Sequence, residues 1–525
     1  MAKKFISHSK EVVDDFIQNI VFVDDRAYSK GEAAQDFDAA KVVSIFASKG
    51  KLCAIYTPAA IGDEDVFSVL LSKADAVILD WDMRINPLET VHKKNDGIES
   101  SAKNDEADDE ADDPRGDLAC KLIRNIATKT SGIKVILIYT GDKHLTDICE
   151  TVTKCVENAK YDEQTLSVTT DNVIIAIRAK DQGSDEQFKH NPQLREFIVN
   201  YEDMPQCIID QYVRLTNGLI SNFALRALTT IRNNTPQILS VFSPLLDNGY
   251  IAHKASMEFP EDARLLLIKL FGDALADLLS CEMPPTSEWT ESWIDDTVDE
   301  ENITINNIDI HRTRELLKRI ISSHQTTLAE KVIEILKENL SKDDIKQIKS
   351  SGPEITILFR TKTNDLKESN IRFAELTHHK NIFTLTPVIP ILSLGSIIKD
   401  PIGNLFICIQ QRCDSVRVMK KRKFLFLPLV SDGKNPIIIN RRKYCPSRKS
   451  FAIQTIEFTP LNGETVISAI NKEGKYVFVA DNRDEYEWIV DLKAMHAQRI
   501  ANEYCSQLGR VGLDESEWLR LHGIQ

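Results

Sequence analysis

With 525 residues, 42% of them hydrophobic, the chain is long enough for roughly two to four domains, each with its own core. A formal charge of −14 argues against nonspecific binding to nucleic acid, because phosphate contact needs a concentrated basic face. No apolar run approaches the ~20 residues of a membrane helix, and no N-terminal stretch has the pattern of a secretory signal, so a cytoplasmic protein with no membrane partner is expected.

Three strand-like segments come first. Asn19-Ile20-Val21-Phe22-Val23 runs into Asp24-Asp25, Ala76-Val77-Ile78-Leu79 into Asp80-Trp81-Asp82-Met83, and Ile136-Leu137-Ile138-Tyr139 into Thr140-Gly141. A continuous apolar run closed by a polar residue is the pattern of a strand buried on both faces of a parallel sheet, with function at its carboxyl end. Such ends converge, because ligands of open α/β sheets gather outside the carboxyl edge. The carboxylates of Asp24, Asp25 and Asp80 then make a hard oxygen site suited to Mg²⁺. With that charge offset, one carboxylate can attack a phosphoryl group. The Thr140 hydroxyl and a cation from a later strand would bind the phosphoryl oxygens. Lys180, after the run Val173-Ile174-Ile175-Ala176-Ile177, is the candidate cation, and Arg178 competes for the role.

These residues resemble the receiver domains of two-component response regulators, from about Lys10 to Lys180. The resemblance implies a flavodoxin-like, doubly wound parallel sheet. It makes Asp80 the phosphoacceptor and Asp24 and Asp25 the acidic pair at the metal. It also makes the backbone carbonyl of Asp82 a further metal ligand, Thr140 the switch hydroxyl and Lys180 the lysine of the fifth strand. It implies Mg²⁺ as cofactor and a sensor histidine kinase as partner. Receivers usually place proline after that lysine, where this chain has Asp181. A long insertion, Asn86 to about Pro114, interrupts the pattern before Gly116 to Arg124 resumes it as a helix. The insertion's acidic core, Asn104 to Asp113, is expected to stay solvated.

Beyond the receiver-like part, helical spacing predicts helices over Cys207–Arg232, Pro236–Leu246, Pro260–Ser280, His311–Ser323 and Leu328–Leu340, with an acidic, Trp-containing connection at Pro284–Asn306. From about Ser351 short β-like runs take over at Glu354–Phe359, Leu405–Gln410, Ser415–Met419, Phe424–Val430, Pro436–Asn440, Ser450–Phe458 and Tyr476–Ala480. A closing helix is expected from about Glu485 to Gln507. The expected layout is therefore a receiver domain over 1–183, a helical domain over 184–350 and a β-rich domain with a terminal helix over 351–525.

The ten cysteines lack zinc-type spacing and are expected to be reduced thiols. Cys413, beside Arg412, invites a nucleophile reading, but no histidine is near it in sequence and an inert thiol is the plainer expectation. A basic cluster formed by Arg417, Lys420 to Lys423, Arg441 to Lys443, Arg448 and Lys449 reads as a solvated hairpin edge before it reads as a surface for RNA or an acidic partner.

A receiver followed by large nonstandard domains resembles the receiver proteins of Detocs-type bacterial anti-phage systems. That resemblance implies a phosphoryl relay or sink fed by a kinase, alongside a second receiver protein that carries an effector, and leaves oligomerisation possible. The competing expectation is a receiver-controlled effector with an enzymatic or nucleic-acid-binding site in the C-terminal part.

Overall fold

In this computed structural model the described residues are 4–28, 37–58, 63–83, 116–129, 132–183, 188–283, 286–361, 365–382, 387–433, 436–447, 449, 451–461 and 463–508. The acidic insertion at 86–114 lies outside them, as does Arg448 of the basic cluster. The chain divides into two compact units, Met1–Val298 and Asp299–Gln525. The helices expected over 184–350 are shared between them.

The first unit is built on one sheet. Its strands are β1 (Asn19–Val23), β2 (Leu52–Tyr56), β3 (Ala76–Leu79), β4 (Lys134–Thr140), β5 (Lys160–Asp162), β6 (Ser167–Thr169), β7 (Val173–Lys180) and β8 (Ile198–Val199). They run β2-β1-β3-β4-β7-β6-β5. The first five of these pair in parallel, and the β5–β6 hairpin adds antiparallel to the far side of β7. Strand β8 pairs parallel with the end of β7.

Both faces are covered, which is why the strands read as unbroken apolar runs rather than alternating ones. Ile136 and Ile138 face one core, with Leu71, Ile123 and Ile148 from helices α3 (Asp63–Lys73), α4 (Asp117–Lys129) and α5 (Leu145–Cys155). Val135 and Leu137 face the other, with Val13 and Phe16 of α1 (Phe5–Phe16), Phe46 of α2 (Ala39–Ser48), Ile208 and Tyr212 of α6 (Met204–Thr216) and Leu225 of α7 (Leu219–Asn233). Phe22 is fully buried there, a side chain whose removal from water contributes about 2–3 kcal/mol.

The single helix expected over Cys207–Arg232 is two. Asn217 and Gly218 separate α6 from α7, and Asn217 instead accepts a hydrogen bond from Ser9 on α1. Four further helices complete the unit: α8 (Thr235–Val241), α9 (Asp247–Ala255), α10 (Ala263–Glu282) and α11 (Ser287–Thr297). The last lies within the segment expected to be a mere connection.

The second unit opens with a hairpin that no helical pattern anticipates, β9 (Glu301–Ile305) and β10 (Ile308–Arg312). Its turn residues Asn306 and Asn307 both have positive φ, the conformation a tight two-residue hairpin turn requires. The helix expected from His311 therefore begins only at α12 (Arg314–Ser322), capped by Thr313. Arg312, the last residue of β10, is buried and donates to Asp299 O, Leu358 O, Arg360 O and the Glu301 carboxylate. Helices α13 (Leu328–Leu336), α14 (Lys342–Ser350) and α15 (Leu366–His378) follow. Glu354–Phe359 is not a strand but part of a 3₁₀ turn, Gly352–Phe359. Gly352 adopts φ +52° and Pro353 sets the first turn.

A nine-stranded antiparallel sheet makes up the rest: β11 (Ser396–Lys399), β12 (Leu405–Cys408), β13 (Arg422–Val430), β14 (Ile437–Ile439), β15 (Arg442–Pro446), β16 (Gln454–Phe458), β17 (Ile470–Lys472), β18 (Lys475–Val479) and β19 (Glu485–Asp491). A one-turn helix, α16 (Arg412–Ser415), precedes β13, and the positive φ of Arg417 ends the strand expected at Ser415–Met419. The expected terminal helix starts late. Glu485–Asp491 is a strand held between β11 and β18, and α17 (Ala494–Leu508) follows it. Ala497, Ile500 and Tyr504 of α17 cover one face of the sheet.

Candidate functional site

At the carboxyl edge of the first sheet the hydrogen-bond ladder runs on past the strands into the aspartates. Asp24 N–H donates to Tyr56 O at 3.0 Å, and Asp80 N–H donates to Val23 O at 3.0 Å. Both backbones are thus fixed by cross-strand bonds, and both carboxylates are buried. The Asp24 carboxylate also accepts from Arg26 N–H at 2.8 Å, an Asx turn that closes the loop after β1.

Lys180 closes the site from β7. Its Nζ lies 2.7 Å from Asp80 Oδ1 and 3.3 Å from Asp24 Oδ2, with the Tyr139 ring 5.8 Å away. Arg178 shares the same strand face two residues earlier but turns away. It donates to Thr165 O, Leu166 O and Ile177 O and stacks over Phe197.

Above this pair opens a cleft of about 780 Å³, lined by Asp24, Asp80, Asp82, Thr140 and Lys180. The Thr140 hydroxyl accepts from Asp142 N–H at 3.0 Å. The structure therefore brings together five of the six residues singled out in the sequence. Asp25, half-buried, does not line the cleft, although its charge is felt at Asp80. Arg26 and Lys143 line the cleft as well. As exposed loop residues they carry no sequence signal beyond their distance from Asp24 and Thr140.

The electrostatics are those of crowded like charge around one cation. Burial raises the Asp80 carboxyl above the usual range. Lys180 opposes that rise, and the charges of Asp24 and Asp25 add to it. Burial pulls the Lys180 ammonium down, but Asp80 and Asp24 outweigh it, and the net shift is upward. Lys180 stays charged, and the site still carries an excess of negative charge.

That excess is what a hard cation would relieve. No three His, Cys, Asp or Glu side chains among the described residues converge on one ion position. Mg²⁺ needs no such cage, since it takes one or two carboxylates and completes its shell with water and phosphate oxygen.

Behind Asp80, the Trp81 indole is buried against Gly116. A Cβ at Gly116, where φ is +86°, would lie 2.2 Å from the Trp81 ring, so only glycine lets the chain re-enter the fold there. Cys413 sits exposed on α16 in the second unit.

The family model for the response receiver domain matches residues 16–185, about a third of the chain. No curated protein and no solved structure matches it. Among the described residues no helix is long and apolar enough to cross a membrane.

Proposed function

We propose that Asp80 is a Mg²⁺-dependent phosphoacceptor, charged by the phosphohistidine of a partner sensor kinase. The match to the receiver family supports phosphoacceptor signalling in general. The observation that carries the finer reading is Lys180, held 2.7 Å from Asp80 and 3.3 Å from Asp24 at the floor of a cleft that Thr140 also lines.

An Asp80 oxygen attacks phosphorus, the N–P bond breaks, and its electron pair returns to the imidazole. Lys180 and the Thr140 hydroxyl then hold the phosphoryl oxygens. Asp24, Asp80 and the backbone carbonyl of Asp82 would hold the Mg²⁺, with Asp25 adding charge from beside the cleft, and the ion would supply charge neutralisation at a site with surplus carboxylate. The new group adds about −1.5 to −2 charges, enough to bias a two-state surface or a partner contact.

Intact-mass measurement with acetyl phosphate and Mg²⁺ tests this. A gain of one phosphoryl is expected, mapping to Asp80, absent in Asp80→Asn and much reduced in Asp24→Asn or without the metal. A gain that persisted in Asp80→Asn would place the acceptor elsewhere.

The wider role rests on the layout alone. A receiver followed by helical and β-rich parts is similar to the receiver proteins of Detocs-type anti-phage systems, and supports a cytoplasmic relay or sink working beside a second receiver-effector protein. Phage challenge of cells carrying the chain with its kinase tests that role. Protection or detoxification lost in Asp80→Asn is the expected result.

A further inference from the structure

Helices α8 to α10 of the first unit are amphipathic in neither sense. Of their residues, all of which are described, Ala263 alone is buried. In α10 the consecutive run Leu265-Leu266-Leu267-Ile268 points apolar side chains to every quarter of the helix, and Leu270, Phe271, Leu275, Leu278 and Leu279 continue it. A helix apolar all round belongs in an interior, yet Leu265 is 60% exposed and Ile268 57%. Leu239 and Leu245 beside it are 63% and 89% exposed, and Phe242 packs its ring on Phe271 at 5.6 Å, joining α8 to α10. These side chains together expose on the order of 1,000 Å² of apolar surface over α8, α10 and the turn between α8 and α9, an unusual concentration for one region of a monomer.

The charges of α10 say what covers it. Arg264 and Lys269 lie in its first half, and Asp273, Asp277 and Glu282 in its second. Its first turn carries Arg264 and its last turn Glu282, the reverse of what its own dipole favours, and acid at its start comes only from the N-cap Asp262 and from Glu261 before it. Glu261, just ahead of it, is paired with Lys254. An antiparallel copy of the same helix complements both halves. Each basic half then faces an acidic half, and each end faces the opposite dipole end. Such a pairing is isologous, as a twofold dimer requires. Near the midpoint sits Gly272, where an added Cβ would meet nothing within 4 Å. It leaves room for the two backbones to approach.

We infer that α10, flanked by α8 and α9, is where a second copy of this chain docks, as an antiparallel helix pair crossing near Gly272. Sedimentation velocity on the full chain, from sub-micromolar to tens of micromolar, should show a reversible dimer, with the amides of 263–282 exchanging more slowly in the dimer than in the monomer. Arg264→Glu with Lys269→Glu makes the helix acidic throughout and should raise the dimer Kd by about tenfold or more. Adding Asp277→Lys and Glu282→Lys to that chain restores the match and should restore the dimer. Gly272→Leu should weaken the dimer while leaving the monomer folded, because its side chain enters open space. Unchanged far-ultraviolet dichroism in each variant excludes unfolding as the cause. A chain that stays monomeric throughout the range overturns the proposal, as does a dimer indifferent to half-reversal. Co-flotation of a monomeric chain with phosphatidylcholine–phosphatidylglycerol vesicles also overturns it, and would make the patch a lipid contact.

Discussion

The two edges of the first sheet carry similar numbers of charged side chains and use them in opposite ways. At the amino edge the charges are spent inside the protein, on backbone groups and on one another. Lys51 donates to Asp14 O and Ile17 O, closing the end of α1. Lys134 donates to Leu71 O, Ser72 O and Ala74 O, closing the end of α3. Asp75 accepts from Gln18 N–H and Asn19 N–H and pairs with Arg232, which also reaches Phe16 O. At the carboxyl edge Asp24, Asp80 and Lys180 meet one another beside an open cleft. Burial alone therefore does not mark a site. Charges satisfied by helix ends are structure, whereas charges that face each other across a cavity keep valence for a ligand.

Substitutions on the two edges should separate accordingly. The largest effect is expected at Lys180. Lys180→Ala should slow phosphoryl uptake by roughly 10²-fold or more, the usual cost of losing one charged donor at a reacting centre. Arg178→Ala, turned toward Thr165 and Phe197, should change uptake by less than about threefold. Mass-monitored time courses of the two variants decide it, and equal losses would dissolve the distinction between the two residues.

Next is Asp75→Ala, which strips acceptors from two backbone N–H groups and leaves Arg232 unpaired. It should cost about 2–4 kcal/mol in urea unfolding with phosphoryl uptake per folded molecule unchanged.

A smaller effect attaches to Asp80 itself. Its carboxyl titrates higher in the folded chain than in the unfolded one, so the folded state holds the proton longer and stability falls as pH rises through the folded pKa. Asp80→Asn lacks that loss. Without Mg²⁺ its Tm should exceed the parent's by about a few degrees at neutral pH, with the gap closing as pH drops below the ordinary Asp range. A gap of opposite sign would mean that the Lys180 pairing dominates.

Lys134→Met should be the mildest, about 1 kcal/mol, because the lost carbonyl contacts are offset by removing a buried charge. Burial pushes Lys134 down to about 8 from 10.5. Between those values the unfolded chain binds more protons than the folded one, so parental stability should rise relative to Lys134→Met across that window in denaturation series at stepped pH.

What the sequence disclosed follows from the same physics. Strands β1, β3 and β4 were legible with their terminal residues because a sheet covered on both faces leaves continuous apolar runs that stop where function begins. The choice between Arg178 and Lys180 was not, since two residues apart on a strand share a face, and only neighbours in space turn one of them aside. Asn217-Gly218 hid inside an unbroken helical spacing, and its interruption depends on Ser9, some two hundred residues away. The β9–β10 hairpin leaves a pattern of its own between the helical spacings. Ile303, Ile305, Ile308 and Ile310 alternate with polar residues around Asn306-Asn307, a period of two rather than the helical one. Strand β19 is lost where the helical spacing of α17 is extended back over it, although Tyr486, Trp488 and Val490 alternate as strand formers do, and ladders to β11 and β18 hold it.

Those ladders bear on how the first unit can respond. Strand β7, eight residues long, is bonded to β4 on one side and to β6 and β8 on the other, with Ala179 paired to both Thr140 and Ile198. Shifting Lys180 would require tearing hydrogen bonds from two neighbours at once, so its amide protons belong among the slowest to exchange. Strand β3, by contrast, is four residues long and hands Asp80 directly to a bend. The cation is mounted on the anvil, and the carboxylate is the last bonded residue before the spring: when charge arrives, the recoil is taken up at the bend of Trp81 and Asp82, and relaxation rates should differ between that bend and Lys180.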